Sequence, residues 1–179
     1  APHERDPDFR AFVMECLLFT LVGAIITPDK ATFFALGDAI VVINGEATVL
    51  GPYPDNAPPY LGYRLLLPNN RYPDIHIVRA LPTAELESFL IGTDGVEHLV
   101  AAETKNVPGR SDLVGPLSRL WQEDRFFRNR DMVRRFLTVA NQEATVIDWE
   151  SRTASKEHGR LADDTTLITG RRRREQDHA

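Results

Sequence analysis

Acidic residues at the ends of short apolar segments are the side chains of this sequence best suited to chemistry. Asp94 and Gly95 follow the apolar segment Phe89–Gly92, and Asp163 and Asp164 stand together just before the last predicted strand. Adjacent carboxylates repel each other unless a cation lies close to them, and Mg²⁺ and Mn²⁺ prefer carboxylate and water oxygens. One interpretation is therefore a metal site that uses Asp94 and Asp163.

The same residues also have an ordinary structural interpretation. Asp is common at helix N-caps and in turns, so Asp94 could cap a following helix and Asp163 and Asp164 could form a solvated turn. Asp38 follows Gly37 between two apolar segments, where it could line a site or satisfy backbone donors at a bulge. Spacing alone leaves both interpretations open.

Other familiar chemistries lack their signatures. The sequence contains no glycine-rich phosphate loop and no HExxH, CxxC or GxSxG motif, and its five histidines lack metal-ligand spacing. The single Cys16 cannot form an internal disulfide, and we expect it to be buried and inert.

The composition is that of a globular domain. Of 179 residues, 42% are hydrophobic and 26% are charged, with a formal net charge of -5. These values exclude a disordered or fibrous chain and disfavour nucleic acid as a partner. No stretch approaches the roughly 20 apolar residues of a membrane span. We expect one monomeric, cytoplasmic domain with no membrane partner.

Strand signals dominate the first half of the chain. Asp6 and Pro7 predict a helix start, and residues 18–26 fit a buried strand better than the end of a long helix. Residues 31–50 predict one antiparallel β unit with a turn at Asn44-Gly45. The second half predicts helices and further strands: strands at 75–81, 89–92, 145–149 and 165–169, helices at 96–104, 113–121 and 132–142, and a polar loop at 152–160. This order favours an antiparallel sheet with helices packed on it.

Three short motifs occur in order along the chain. They are Phe33–Asp38 followed by Val41–Gly45, then Leu90–Val96, which contains Thr-Asp-Gly, and finally Leu161–Leu167, which contains Asp-Asp-Thr-Thr. Together they resemble the motifs of the metal-dependent protein serine/threonine phosphatases of the PP2C type, particularly the bacterial branch. The resemblance extends over residues 17–172.

The resemblance implies both a fold and a reaction. The fold is α+β, an antiparallel β-sandwich flanked by helices in four layers, α/β/β/α. In the reaction, two Mg²⁺ or Mn²⁺ ions about 3.5–4 Å apart hold a water that attacks a phosphoserine or phosphothreonine of a phosphoprotein substrate. By match to the motifs, Asp94 and Asp163 are expected to bind metal, and Asp38, Gly95, Asp164 and His98 are expected to support the site.

Departures from the family pattern add further expectations. Residues 3–6 lack the family's first Asp-Gly motif, so residues 8–170 resemble the C-terminal portion of such a domain, incomplete at its N-terminus. Residues 171–179 are expected to form a basic flexible tail, although their arginines could contact phosphate. His98 replaces the aspartate of a weaker third metal, and imidazole is a poorer Mg²⁺ ligand than carboxylate, so a third site should be weak or absent.

Three functions remain open on the sequence. The first is a metal-dependent phosphoprotein phosphatase, which Asp94 and Asp163 favour. The second is a catalytically inactive PP2C-like binding or regulatory module, which the missing first motif favours. The third is an α+β interaction domain without metal.

Overall fold

The computed structural model describes residues 6–66 and 75–173. These ranges contain six α-helices and nine β-strands: α1 Pro7–Cys16, β1 Leu21–Ile26, β2 Lys30–Leu36, β3 Ala39–Ile43, β4 Glu46–Leu50, α2 Tyr63–Leu66, β5 His76–Pro82, β6 Ser88–Gly92, α3 Val96–Ala101, α4 Arg119–Gln122, α5 Arg125–Arg128, α6 Met132–Ala140, β7 Ala144–Asp148, β8 Thr153–Glu157 and β9 Leu167–Arg171. The pairs β1–β2, β2–β5, β3–β4, β6–β9 and β7–β8 are antiparallel, which confirms the predicted α+β class. No helix of the described residues could span a bilayer. The chain divides into two compact units, Ala1–Glu87 and Ser88–Ala179.

The first helix begins as predicted but buries less of its surface than expected. The Asp6 carboxylate accepts a hydrogen bond from the Asp8 backbone N–H at 3.0 Å, and Pro7 occupies the first turn. Val13 is buried, whereas Phe12 is 52% exposed and Cys16 is also exposed. The prediction of a buried Cys16 is therefore wrong, because the apolar stripe of α1 is wider than the surface it packs against.

The first unit contains a three-stranded sheet in the order β1-β2-β5. Ala31, Phe33 and Ala35 alternate along β2 and are fully buried on one face of this sheet. On the other face, Ile25 of β1 and Ile77 of β5 are 59% and 63% exposed. The sheet thus buries one face, as expected for an antiparallel sheet with hydrophobic residues at alternate positions.

The predicted β unit over residues 31–50 has its strands where expected, but the chain changes sheets within it. β2 pairs with β1 and β5, whereas β3 pairs with β4. The change occurs at Gly37-Asp38. Gly37 has a φ of +94°, and a Cβ atom there would lie 2.4 Å from Thr20 Cγ2. Only glycine allows both this conformation and this approach.

The second unit is built around the antiparallel pair β6–β9 and a helical core. Leu99, Ala102, Val107, Val114 and Ala140 form a buried cluster, with Phe136 and Leu137 of α6 packed against it. Phe136, Leu137 and Ala140 lie at the spacing predicted for the core face of the helix at 132–142, and α6 confirms that prediction.

Two predictions for the second unit are wrong. The helix expected at 113–121 is reduced to α4, because Gly115 has a φ of +80° and Pro116 lacks the N–H that a helix needs. The polar loop expected at 152–160 contains β8, which pairs with β7. In this pairing Asp148 lies opposite Thr153, and Ala144 lies opposite Glu157.

Arg171 belongs to β9 and not to a solvated tail. Its side chain is 6% exposed, its guanidinium lies 2.7 Å from Asp124 Oδ1, and it stacks over the Phe127 ring at 4.4 Å. The expected boundary at residue 171 therefore cuts through a strand. Residues 174–179 of the predicted tail lie outside the described residues.

Candidate active site

The ends of β6 and β9 bring the two predicted acidic motifs together. Gly92, the last residue of β6, pairs with Leu167, the first residue of β9. Beyond this pair, the Thr93 N–H donates to Thr166 O at 3.0 Å, and the Thr166 N–H donates to Thr93 Oγ1 at 3.1 Å. The loop that carries Asp94 and the loop that precedes β9 therefore leave the sheet at the same end.

Gly95 allows these two loops to touch. A Cβ atom at this position would lie 2.5 Å from Thr165 Oγ1 and 2.7 Å from Asp164 O. Gly95 is buried and has an ordinary helical φ of -52°, so its lack of a side chain serves close packing rather than an unusual backbone conformation. The other acidic loop therefore lies directly against the main chain at Gly95.

Asp94 is exposed at this end of the strand pair. Its carboxylate accepts a hydrogen bond from the Gly95 N–H at 3.0 Å, and its carbonyl accepts from the Glu97 N–H at 2.8 Å. The N-cap of α3 is Gly95, where no side chain makes a capping hydrogen bond. Asp94 is therefore not the N-cap of α3.

Asp163 and Asp164 are exposed in the facing loop. The Asp164 N–H donates to Asp163 Oδ1 at 2.7 Å, which orients that carboxylate. The Thr165 hydroxyl donates to Asp163 O at 3.1 Å. These are hydrogen bonds of a solvated turn, and they also hold a carboxylate in one orientation, as a ligand position requires.

Thr93 links the two loops and was not singled out by the sequence. Its hydroxyl donates to Asp164 O at 3.3 Å and accepts from the Thr166 N–H at 3.1 Å. A single side chain thus satisfies a donor and an acceptor of the facing loop. The available signal was the threonine directly before Asp94 in the Thr-Asp-Gly motif.

The donor set at this end fits a hard divalent cation. Asp94 and Asp163 supply exposed carboxylate oxygens on adjoining loops, and Mg²⁺ is commonly held by one or two carboxylates together with water and substrate phosphate. Within residues 6–66 and 75–173, no group of three or more His, Cys, Asp and Glu side chains could hold a metal ion. A cation held by Asp94 and Asp163 alone would therefore take most of its ligands from water or substrate phosphate oxygens.

The immediate neighbours of two further predicted residues can be described. His98 lies on α3, and its Nδ1 is buried without a hydrogen-bond partner among the described residues. Asp38 belongs to the first unit, at the bend between β2 and β3, with its Cβ beside Gly51. Their supporting roles remain predictions.

Comparison with known proteins gives one assignment. No curated protein and no solved structure matches the chain. The model of the family described as protein phosphatase 2C matches residues 10–147, a range that includes Asp38 and Asp94 and ends before Asp163. Because this match covers more than half of the sequence, the chain belongs to the protein phosphatase 2C family, a family of phosphatases.

Proposed function

We propose that the chain takes part in metal-dependent hydrolysis of phosphoserine or phosphothreonine in proteins, with Asp94 and Asp163 as metal ligands. The observation that carries this proposal is the joining of their two loops by Thr93 and Gly95 at one end of the β6–β9 pair. Family membership supports the phosphatase class, and the substrate and the metal dependence are the finer parts of the proposal.

The described residues contribute orientation and charge. The Gly95 N–H fixes the Asp94 carboxylate, and the Asp164 N–H fixes that of Asp163. Because both groups are held by neighbouring backbone, little conformational freedom is lost when they bind a cation. A bound Mg²⁺ or Mn²⁺ would supply a lowered water pKa and neutralise charge on the phosphoryl group.

A PP2C-like binding or regulatory module without catalytic activity is the second candidate. It is favoured by one observation, the lack of a cluster of three metal-ligating side chains in the part of the chain that the structure describes. Such a module would retain the fold and the paired loops without turnover.

Asp94→Asn and Asp163→Asn test the metal site in the whole chain. We expect each change to weaken Mn²⁺ binding, measured by calorimetry, about tenfold or more, since each removes a charged ligand. Glu97→Gln is the matched control, because Glu97 is an exposed acid on α3 whose loss removes the same charge. We expect it to change the affinity less than about twofold.

Turnover and stability then separate the two candidates. Mn²⁺-dependent hydrolysis of p-nitrophenyl phosphate and of a phosphothreonine peptide, lost in both Asn variants, supports the phosphatase. Mn²⁺ binding without turnover supports the inactive module. The thermal unfolding midpoint of the metal-free protein should not fall in either variant, because unneutralised acids at a metal site repel each other. Unchanged Mn²⁺ affinity in both variants rejects the metal site.

A further inference from the structure

The stretch 107–140 of the second unit is basic within an acidic protein. It holds seven arginines and four acidic residues, whereas the whole chain has a net charge of -5. The positive charge of this stretch lies on α4, α5 and α6 and the loop before them, separate in sequence from the four consecutive arginines at 171–174. It lies outside the two loops that carry Asp94 and Asp163.

Four of these arginines line one groove. The groove has a volume of about 760 Å³, and its walls include Arg110, Arg119, Arg125 and Arg135. A groove of this size belongs to the range of ligand-binding clefts. Its walls come from the 107–114 loop and from α4, α5 and α6.

Two of the four arginines are available to a ligand. Glu123 binds both Arg119, at 2.7 Å, and Arg125, at 2.6 Å. Arg110 and Arg135 are exposed, and within residues 6–66 and 75–173 neither forms an ion pair or a side-chain hydrogen bond. Even with Asp112 in the lining, the four arginines outnumber the acids they face.

The floor of the groove is apolar and firmly packed. Val114 is 1% exposed, and Phe126 is 5% exposed and packs edge-to-face on Phe136 with ring centroids 5.9 Å apart. Leu113 lies at the rim and is 53% exposed. Since Val114 and Phe136 belong to the helical core, the floor is preformed and offers a surface for an apolar side chain.

We propose that this groove binds an acidic peptide segment of a partner protein. Carboxylates of the segment pair with Arg110 and Arg135, whose planar guanidinium groups bind carboxylates through two parallel hydrogen bonds. An apolar residue of the segment packs on Leu113 and the aromatic floor. The combination of apolar floor and unpaired arginines fits a peptide better than a nucleic acid, and the proposal does not depend on catalysis.

Fluorescence anisotropy of the whole chain tests this proposal. The probe is a short fluorescein-labelled peptide of Glu and Gly with one central Leu. We expect Arg110→Glu and Arg135→Glu each to weaken binding about tenfold, as loss of a charge-assisted pair implies. The control is Arg130→Glu, because Arg130 is exposed and lies outside the groove lining. It should change the affinity less than about twofold.

Further variants define the outcomes. Arg135→Lys should restore part of the affinity lost in Arg135→Glu, and replacement of the central Leu of the probe by Ser should weaken binding several-fold. The proposal is overturned if the probe does not bind, or if Arg130→Glu weakens binding as much as the groove variants. Equal binding of a labelled single-stranded oligonucleotide would also overturn it. Circular dichroism of each variant shows that the fold is retained, as expected for exposed arginines.

Discussion

Two β-hairpins of the chain have the same topology but are stabilised by different forces. All five residues of β3 are buried in the hairpin of the first unit, whereas β7 and β8 of the second unit contain no buried residue. Ile40 of β3 is 2% exposed, and Ile147 of β7 is 49% exposed. The first hairpin therefore depends on hydrophobic burial, and the second must depend on polar contacts.

The turns differ in the same way. Asn44 and Gly45 form a two-residue turn with φ values of 52° and 86°, the conformation that this dipeptide favours. The turn between β7 and β8 is longer and is closed by Asp148, whose carboxylate accepts hydrogen bonds from the Glu150 and Ser151 N–H groups and from the Ser151 hydroxyl. One turn is set by backbone preference and the other by a charged side chain.

Charged side chains form polar contacts at the open end of the second hairpin. Lys156 lies 2.6 Å from Glu143, and Glu157 pairs with Arg160 and accepts from the Gly109 N–H at 3.1 Å. These groups are at the surface, where single pairs contribute little to stability. The comparison shows that one chain can specify a hairpin by burial or by a set of weak polar contacts.

The largest expected effect comes from removing buried volume in β3. We expect Ile40→Ala to lower the free energy of unfolding by about 2–5 kcal/mol, because it leaves a cavity at a nearly inaccessible position. Ile147→Ala is the matched change in β7 and should stay within about 0.5 kcal/mol. Urea unfolding measures both. Equal effects of the two substitutions would contradict the comparison.

An intermediate effect is expected at the turn of the first hairpin. The Asn44 side chain donates to Glu85 O at 2.8 Å and accepts from the Glu87 N–H at 2.8 Å. Asn44→Ala loses both hydrogen bonds and places alanine at positive φ, so we expect a loss of about 1–2 kcal/mol in urea unfolding. Thr48→Ala on the exposed strand β4 serves as control. A loss below that of the control would mean that burial alone fixes this hairpin.

The smallest effect on global stability, and the most selective one, is expected on acidification. The Lys156 hydrogen bond holds the pKa of Glu143 below its ordinary 4.5, and the Ser151 hydroxyl holds the pKa of Asp148 below its ordinary 3.8. The Gly109 N–H, followed by Arg160, holds the pKa of Glu157 below 4.5. Because these pKa values are lower in the folded state, the ionised carboxylates stabilise the fold fully at any pH above their ordinary pKa values. This stabilisation is lost as the pH falls through the lower pKa values of the folded state.

Amide hydrogen exchange followed by NMR between about pH 5 and 3 measures this effect. After correction for the intrinsic exchange rate, protection in β7 and β8 should fall before protection in β3 and β4. Glu143→Gln should reduce protection of β7 and β8 already at pH 6 and leave β3 and β4 unchanged. Simultaneous loss in both hairpins would show that the second is not an independent polar unit.

The two hairpins also show what could be predicted from sequence. Asn44-Gly45 and Asp6-Pro7 act through local backbone preferences, so their structures followed from the residues themselves. β8 was missed because its Thr-Ala-Ser-Lys-Glu sequence has no apolar alternation, and its pairing depends on contacts with β7. Cys16 was misplaced because burial depends on what packs against α1, which spacing does not reveal.

In the candidate site, too, local features could be predicted from the sequence and contacts between distant residues could not. Spacing left open whether Asp94 and Asp163 share a metal site or belong to two separate turns, and the resemblance to known motifs favoured the shared site. Their loops meet because β6 and β9 pair with Gly92 opposite Leu167, a contact between residues far apart in the chain. The role of Thr93 in joining the loops could not be deduced without that register.

The contact at Gly95 lets the main chain of one acidic loop lie directly against the other loop. A side chain at position 95 would collide with the Asp164 carbonyl and the Thr165 hydroxyl, so glycine is what keeps the two loops this close. A protein engineer could exchange Asp94 and Asp163 for imidazole or thiolate donors and keep the anchoring positions of both. The metal preference of the proposed site is thus open to redesign while the contact between its loops is conserved.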